Sequence, residues 1–120
     1  MMEPDFRLRN NVIRNPEGKI KFKRLKADGY EHYHVGLWLE STDPENMRNV
    51  ERVEYELHSS FRNPNRASEN RRNDFSITFW SWGTFEVKAK VFLISGGPPI
   101  ALKHKLDLGL TKTDEYIDVS

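Results

Sequence analysis

The chain has 120 residues and a mass of 14.1 kDa, which suffices for one domain and is too short to enclose a second core. Aromatic residues make up 12% of the chain, and since disordered segments are usually poor in them, this composition predicts a folded domain. The absence of cysteine and the net charge of +1 exclude a disulfide-stapled domain and any strong overall attraction to nucleic acid.

Apolar runs in this sequence are short. None approaches the ~20 residues of a membrane helix, and the first residues lack the apolar core of a signal peptide. We therefore expect no membrane partner and a cytoplasmic location, or a nuclear one if the protein is eukaryotic.

Alternation of apolar and polar residues with a period of two runs through most of the chain and predicts half-buried β-strands. Residues 1–18 are expected to form an N-terminal segment or first strand, 19–110 the body of the domain, and 111–120 a C-terminal tail or linker. In chain order the alternating stretches are 20–22, 35–39, 53–57, 75–79, 85–93 and 100–108.

Turn-forming residues separate these stretches, as in 15–18, 63–65 and 96–99. Only 44–49 suits a helical turn, with Asp43 as its N-cap and Pro44 at its first position. Short strands at such close intervals predict an all-β fold, a β-sandwich of about seven to eight antiparallel strands.

Positive charge is concentrated in 19–26 and in 62–72. Solvated strand faces and a charged loop explain both clusters. The alternative is that the second cluster steers an acidic or phosphate-bearing partner toward the domain.

Two patterns raise the question of catalysis or metal binding. His58 and Ser60 lie two residues apart on one predicted strand, but the sequence has neither a nucleophile elbow nor a glycine-rich oxyanion loop. Ester hydrolysis by this pair stays an outside alternative. The four histidines lack the carboxylate or cysteine pattern of a metal site, so neither a metal nor a cofactor is expected.

Aromatic residues occur where predicted strands end. A ring in mid-strand packs in the core, whereas a ring at a strand end is available to a ligand. If the ends carrying Phe61 and Trp82 lie together, they form a slot that suits a flat, uncharged group. The alternative is that these rings only fill the sandwich core. Arg62 beside Phe61 meets the requirements of a DNA-stacking platform only loosely, so nucleic acid is not an expected partner.

Four segments, in order and with compatible spacing, resemble the YEATS domain family. DGYEH at 28–32 is similar to the family's loop of form D/E-G-aromatic-x-H, and the stretch 53–66 matches V-x-Y-x-L-H-x-S-F-x-N-P-x-R. SWGTF at 81–85 is similar to G-W-G-E-F, and 99–108 ends in L-x-H-x-L-x-L. The segment 71–80 and the short N-terminus look most like prokaryotic members of the family.

The resemblance implies an immunoglobulin-like β-sandwich that binds acylated lysine, acetyl- or crotonyl-like, in an aromatic channel without turnover. Phe61 and Trp82 would sandwich the acyl-amide, while the Ser60 hydroxyl and the Trp82 backbone N–H would bind it. The rest of the channel would be lined by Tyr30, His58 and Phe85. Gly83 would allow a close backbone approach.

Several positions depart from the family pattern. Ser81 occupies a usual glycine position, Thr84 stands where glutamate or glycine is common, and His34 replaces a tryptophan. Because the Ser81 side chain would narrow the channel mouth, the alternative function is a pocket-closed interaction or sensing domain. In prokaryotes the resemblance implies a fused or associated signalling or defence effector.

Overall fold

The computed structural model describes residues 5–24 and 29–120, so Asp28 of the 28–32 motif lies outside the described residues. This part of the chain forms two β-sheets. Its elements are β1 (Phe6–Val12), β2 (Ile20–Arg24), β3 (Glu31–Ser41), α1 (Pro44–Arg48), β4 (Val50–Glu56), β5 (Asn65–Ser68), a 3-10 turn (Arg71–Asn73), β6 (Ile77–Ser81), β7 (Glu86–Leu93), β8 (Ile100–Lys105) and β9 (Tyr116–Asp118).

The first sheet is built around β3. One edge of β3 pairs first with β2 and then with β1, while β6 pairs with the other edge. The second sheet has the order β5-β4-β7-β8 and is antiparallel throughout. The predicted all-β sandwich is confirmed, and the described residues form nine strands because β1 and the short β5 and β9 add to the six stretches that alternation indicates.

β9 is the feature that alternation does not predict. It pairs in parallel with β2, from Ile20↔Tyr116 to Phe22↔Asp118. Segment 111–120, expected as a tail or linker, therefore contributes a strand to the first sheet. Its three residues, Tyr-Ile-Asp, do not alternate between apolar and polar, so no periodic pattern marks them.

The core lies between the inner faces of the two sheets. Val35 and Leu37 of β3 are fully buried, as are Val53 of β4 and Val87 of β7. Since successive strand residues point to opposite faces, the polar residues that alternate with the buried ones on β4 and β7 lie on the outer face. The predicted cap of α1 is also present, because the Asp43 side chain accepts a hydrogen bond from the Glu45 N–H at 2.9 Å.

One buried hydrogen bond ties the second sheet to the loop before β6. The Tyr55 hydroxyl donates to the Phe75 carbonyl at 2.7 Å, and burial raises the pKa of the Tyr55 phenol, which keeps it a neutral donor. Asp74 and Phe75 both have positive φ, 58° and 57°, a backbone conformation that is unfavourable for residues with a side chain. The Tyr55 bond therefore adds to the backbone hydrogen bonds that hold this loop in an unfavourable conformation.

No helix in the described part of the chain is long and apolar enough to cross a membrane.

Replacing Tyr55 by Phe should lower the free energy of unfolding by about 1–3 kcal/mol, because the Phe75 carbonyl is left buried without its donor. Urea unfolding followed by circular dichroism measures this change. Tyr116→Phe is the matched control, since the Tyr116 hydroxyl donates to the Thr111 carbonyl at an exposed site. Equal losses from both variants would contradict a special role for the buried bond.

Candidate functional site

A small cavity of about 90 Å³ lies at one end of the sandwich, between the loop after β4 and the turn between β6 and β7. Six of the seven residues that the sequence indicates as ligand-binding line it, and the seventh, Tyr30, stacks on one of them, Trp82. The lining residues are His58, Ser60, Phe61, Ser81, Trp82, Gly83, Thr84 and Phe85.

The two loops meet because of strand register. β4 pairs with β7 as far as Glu56↔Lys88, so the residues after β4 lie beside those that lead into β7. The Leu57 N–H donates to the Pro64 carbonyl at 2.8 Å, and the Phe61 N–H donates to the His58 carbonyl at 3.0 Å. These bonds fold the segment after β4 back on itself and place Phe61 at the cavity.

Phe61 belongs to the core and to the cavity at once. Its ring is edge-on to Phe79, with centroids 5.6 Å apart, and tilted against Phe85 at 5.3 Å. The Arg66 guanidinium lies 5.9 Å from the same ring and donates to the Asn63 carbonyl. The ring is thus fixed by its neighbours, and it also lines the cavity.

Trp82 is held by a different ring. It stacks on Tyr30 with centroids 5.1 Å apart and an interplanar angle of 19°, and both side chains are more than half exposed, at 54% and 56%. Among the ring contacts of the described residues there is none between Phe61 and Trp82. The two predicted walls therefore face the same space without touching, and Tyr30 supports Trp82.

His58 and Ser60 are hydrogen-bonded to each other. His58 Nδ1 lies 2.8 Å from Ser60 Oγ and accepts a bond from the Ser60 backbone N–H at 3.1 Å. Because a backbone N–H can only donate, Nδ1 is unprotonated in this arrangement, and the Ser60 hydroxyl donates to it as well. The Ser60 oxygen itself remains available as an acceptor.

Ser81 shapes the turn that carries Trp82. Its side chain is buried, with 2% of the residue exposed, and its hydroxyl donates to the Gly83 carbonyl at 2.7 Å. The Gly83 N–H in turn donates to Ser81 Oγ at 3.4 Å. The serine that replaces the family's usual glycine therefore lies in the cavity wall and braces the residues on both sides of Trp82.

The His58–Ser60 pair lacks the third group of a hydrolytic triad. Such a triad needs a carboxylate that orients the histidine, and no carboxylate is hydrogen-bonded to His58 among the residues that the structure describes. The ring instead meets Phe85 edge-on, with centroids 6.1 Å apart.

The histidines are dispersed, and the described residues contain no cluster of three or more potential metal ligands. His34 stacks on Trp80 at 4.5 Å on the outer face of the first sheet. Burial, with Lys21 and Lys23 nearby, lowers the pKa of His34. His104 Nε2 lies 2.7 Å from Asn10 Oδ1, and His104 does not line the cavity.

Ser81→Ala should lower the free energy of unfolding by about 0.5–1.5 kcal/mol, the usual value of one hydrogen bond, and should loosen the turn. The ¹H–¹⁵N spectrum would then show the Trp82 and Gly83 amides shifted and broadened. Thr84→Ala is the control, since Thr84 is exposed in the same turn and its hydroxyl makes no hydrogen bond to another described residue. An unchanged Trp82 amide in Ser81→Ala would show that the hydroxyl does not brace the turn.

Comparison with known proteins agrees with this architecture. The family model for the prokaryotic YEATS domain matches residues 33–107. Among solved structures, the YEATS domain of yeast Yaf9 recognising a succinylated H3 peptide is 19% identical, with a TM-score of 0.59, and the match covers 90% of this chain and 78% of that one. The same identity, TM-score and coverage hold for the Yaf9 YEATS domain bound to acetylated H3.

A further Yaf9 structure, described as the yeast AF-9 homolog, is 20% identical with a TM-score of 0.58, and the match covers 86% of this chain and 68% of that one. At these identities the structures establish the fold. The family match extends over more than half of the sequence, from β3 through β8, and the chain therefore belongs to the prokaryotic YEATS domain family.

Proposed function

We propose that this domain recognises acylated lysine in a protein or peptide and does not transform it. The observation that carries the proposal is the cavity that Phe61 and Trp82 line together with Ser60. The fold that the chain shares with Yaf9 YEATS domains solved with succinylated and acetylated H3 supports the same ligand class.

The composition of the cavity favours a neutral ligand. None of its lining residues is an aspartate, glutamate, lysine or arginine. A lysine ammonium would have to leave water without gaining a counter-charge, which is costly, whereas a neutral amide loses much less. Acylation of lysine makes this conversion from ammonium to amide.

The polar groups of the cavity match the two ends of an amide. The Ser60 oxygen, whose proton is directed to His58, accepts from the amide N–H. Trp82 follows Ser81, the last residue of β6, and its backbone N–H donates to the acyl oxygen. Phe61 and Trp82 bracket the amide plane, and Tyr30 keeps the indole in place.

The size of the cavity favours a short acyl group. About 90 Å³ is several times the ~30 Å³ that a water molecule takes up in the liquid, which leaves room for a few heavy atoms. A crotonyl group is planar and conjugated, so it gains more from stacking on the rings than an acetyl group does. His58, Gly83 and Phe85 form the remaining wall.

The small cavity also favours one alternative, a pocket-closed interaction or sensing domain. The buried Ser81 side chain occupies part of the wall, and a domain of this kind would act through protein contacts as an appendage of a prokaryotic signalling or defence effector. Binding of a small acyl ligand would support the acyl-lysine reader and contradict the pocket-closed domain. In either case we expect the domain to work in the cytoplasm.

Three fluorescently labelled peptides, carrying crotonyl-lysine, acetyl-lysine or unmodified lysine, test the proposal. Fluorescence anisotropy measures their affinity, and ¹H–¹⁵N spectra of the protein during the titration locate the site. We expect micromolar to millimolar binding of the acylated peptides, with chemical-shift changes at Phe61 and Trp82, and none of the unmodified peptide. Trp82→Ala should weaken binding at least tenfold because it removes one wall, in line with the ~2 kcal/mol or more of an aromatic hot spot.

Ile94→Ala is the matched control for this experiment. Ile94 is also a large exposed apolar residue, at 57%, but it follows the far end of β7 from the cavity. Its variant should bind as the wild type does. If no acylated peptide perturbs the cavity residues, the domain is not an acyl-lysine reader and the pocket-closed alternative holds.

A further inference from the structure

A second, larger groove of about 620 Å³ crosses the outer face of the second sheet. Its floor is the backbone of Tyr55 and Ala89, whose side chains point into the core. Its walls are two rows of outward-facing residues that the strand register aligns. One row runs Ala67, Glu54, Lys90, Ala101, and the other runs Asn65, Glu56, Lys88, Lys103.

The groove is positive over β7 and β8. Lys88 lies directly opposite Lys103 in the register, and Lys90 follows Lys88 by two residues on the same face. None of the three forms an ion pair with a described residue, although the register sets Glu56 opposite Lys88 and Glu54 opposite Lys90. Like charges directly opposite each other on neighbouring strands are destabilising, so the Lys88–Lys103 pair leaves an excess of positive charge at this end of the groove that an anionic group would offset.

The groove is negative over β4. Glu54 and Glu56 flank it there, and of the two only Glu54 has an ion-pair partner among the described residues, Arg52. A polyanion such as nucleic acid would be repelled at this end. The charge pattern therefore fits a chain that carries a basic residue beside acidic ones, as a peptide does.

The groove adjoins the candidate acyl-lysine cavity. Glu56 lies two residues before His58, and Lys88 three residues after Phe85, which in extended chain is about 7–10 Å. The four strands span roughly 14 Å at ~4.8 Å per strand spacing, the length of about four extended residues. A peptide anchored by its acyl-lysine can thus reach the groove with the residues next to it.

We infer that this groove binds the segment flanking the acylated lysine, with acidic residues over Lys88, Lys90 and Lys103 and a basic residue over Glu54 and Glu56. The inference rests on the proposed function and specifies its substrate further. The cavity reads the acyl group, and the groove selects among acylated sites by the charge of their surroundings.

Fluorescence anisotropy with crotonyl-lysine peptides tests the inference. The peptides carry Glu-Glu, Lys-Lys or Gly-Ser pairs two to five residues from the modified lysine, on either side. We expect the wild type to bind the Glu-Glu peptide of one of the two sides roughly fivefold more tightly than the Gly-Ser peptide at low salt, the scale of a few exposed charge pairs. Raising the salt concentration should remove this preference.

Charge reversal locates the effect. The double variant Lys88→Glu with Lys103→Glu should lose the preference for acidic flanks while its affinity for the Gly-Ser peptide stays within about twofold of wild type. Lys112→Glu is the control, because Lys112 is exposed, has no ion-pair partner among the described residues and lines neither the groove nor the cavity. Circular dichroism confirms that both variants are folded.

Each failure has a distinct signature. Equal affinity of the wild type for acidic and neutral flanks, or equal losses for both in the double variant, would overturn the groove assignment and leave acyl-lysine recognition standing. Binding of acidic peptides without acylation, or displacement by single-stranded DNA, would show that the groove acts alone on another partner. No binding of any acylated peptide would overturn both proposals.

Discussion

The packing of the two inner sheet faces against each other is the constraint on which the rest of the molecule depends. Val35 and Leu37 of one sheet and Val53 and Val87 of the other are fully buried there. Because side chains alternate along a strand, a slip of one residue would turn these groups to solvent. The core therefore fixes the register, and the register fixes which residues emerge where strands end.

The candidate site exists because its aromatic walls are anchored separately. Phe61 packs on Phe79 and Phe85, at the margin of the core, whereas Trp82 stacks on Tyr30 in a largely exposed pair. Two unanchored rings would close on each other, since apolar surfaces associate in water. Here each ring has its own partner, and the space between them stays open.

Much of this architecture could be predicted from local sequence patterns. Strands 35–39, 53–57 and 85–93 are clear from alternation, and Asp43 with Pro44 predicts the start of α1. The turn residues at strand ends indicate that Phe61 and Trp82 lie outside mid-strand core positions, and both line the cavity. These features depend on neighbours in the chain, which is why the sequence reveals them.

What the sequence did not reveal depends on contacts between distant segments. The pairing of β9 with β2 joins residues almost a hundred positions apart, and the stacking of Tyr30 on Trp82 joins residues about fifty positions apart. The groove needs the register of four strands. The hydrogen bond from Ser81 to Gly83, in contrast, could be predicted from local sequence, since a serine two residues before a glycine is typical of a hydroxyl-bonded turn.

The bond between His58 and Ser60 has a chemical consequence. With the hydroxyl proton directed to the imidazole, the serine oxygen can receive a hydrogen but has none left to offer. If the cavity binds acyl-lysine as proposed, this polarity distinguishes a secondary amide from an ester or thioester of the same outline, because neither of the latter carries a hydrogen on the linking atom. The imidazole, by accepting from the serine hydroxyl, would then set the type of linkage that suits the pocket.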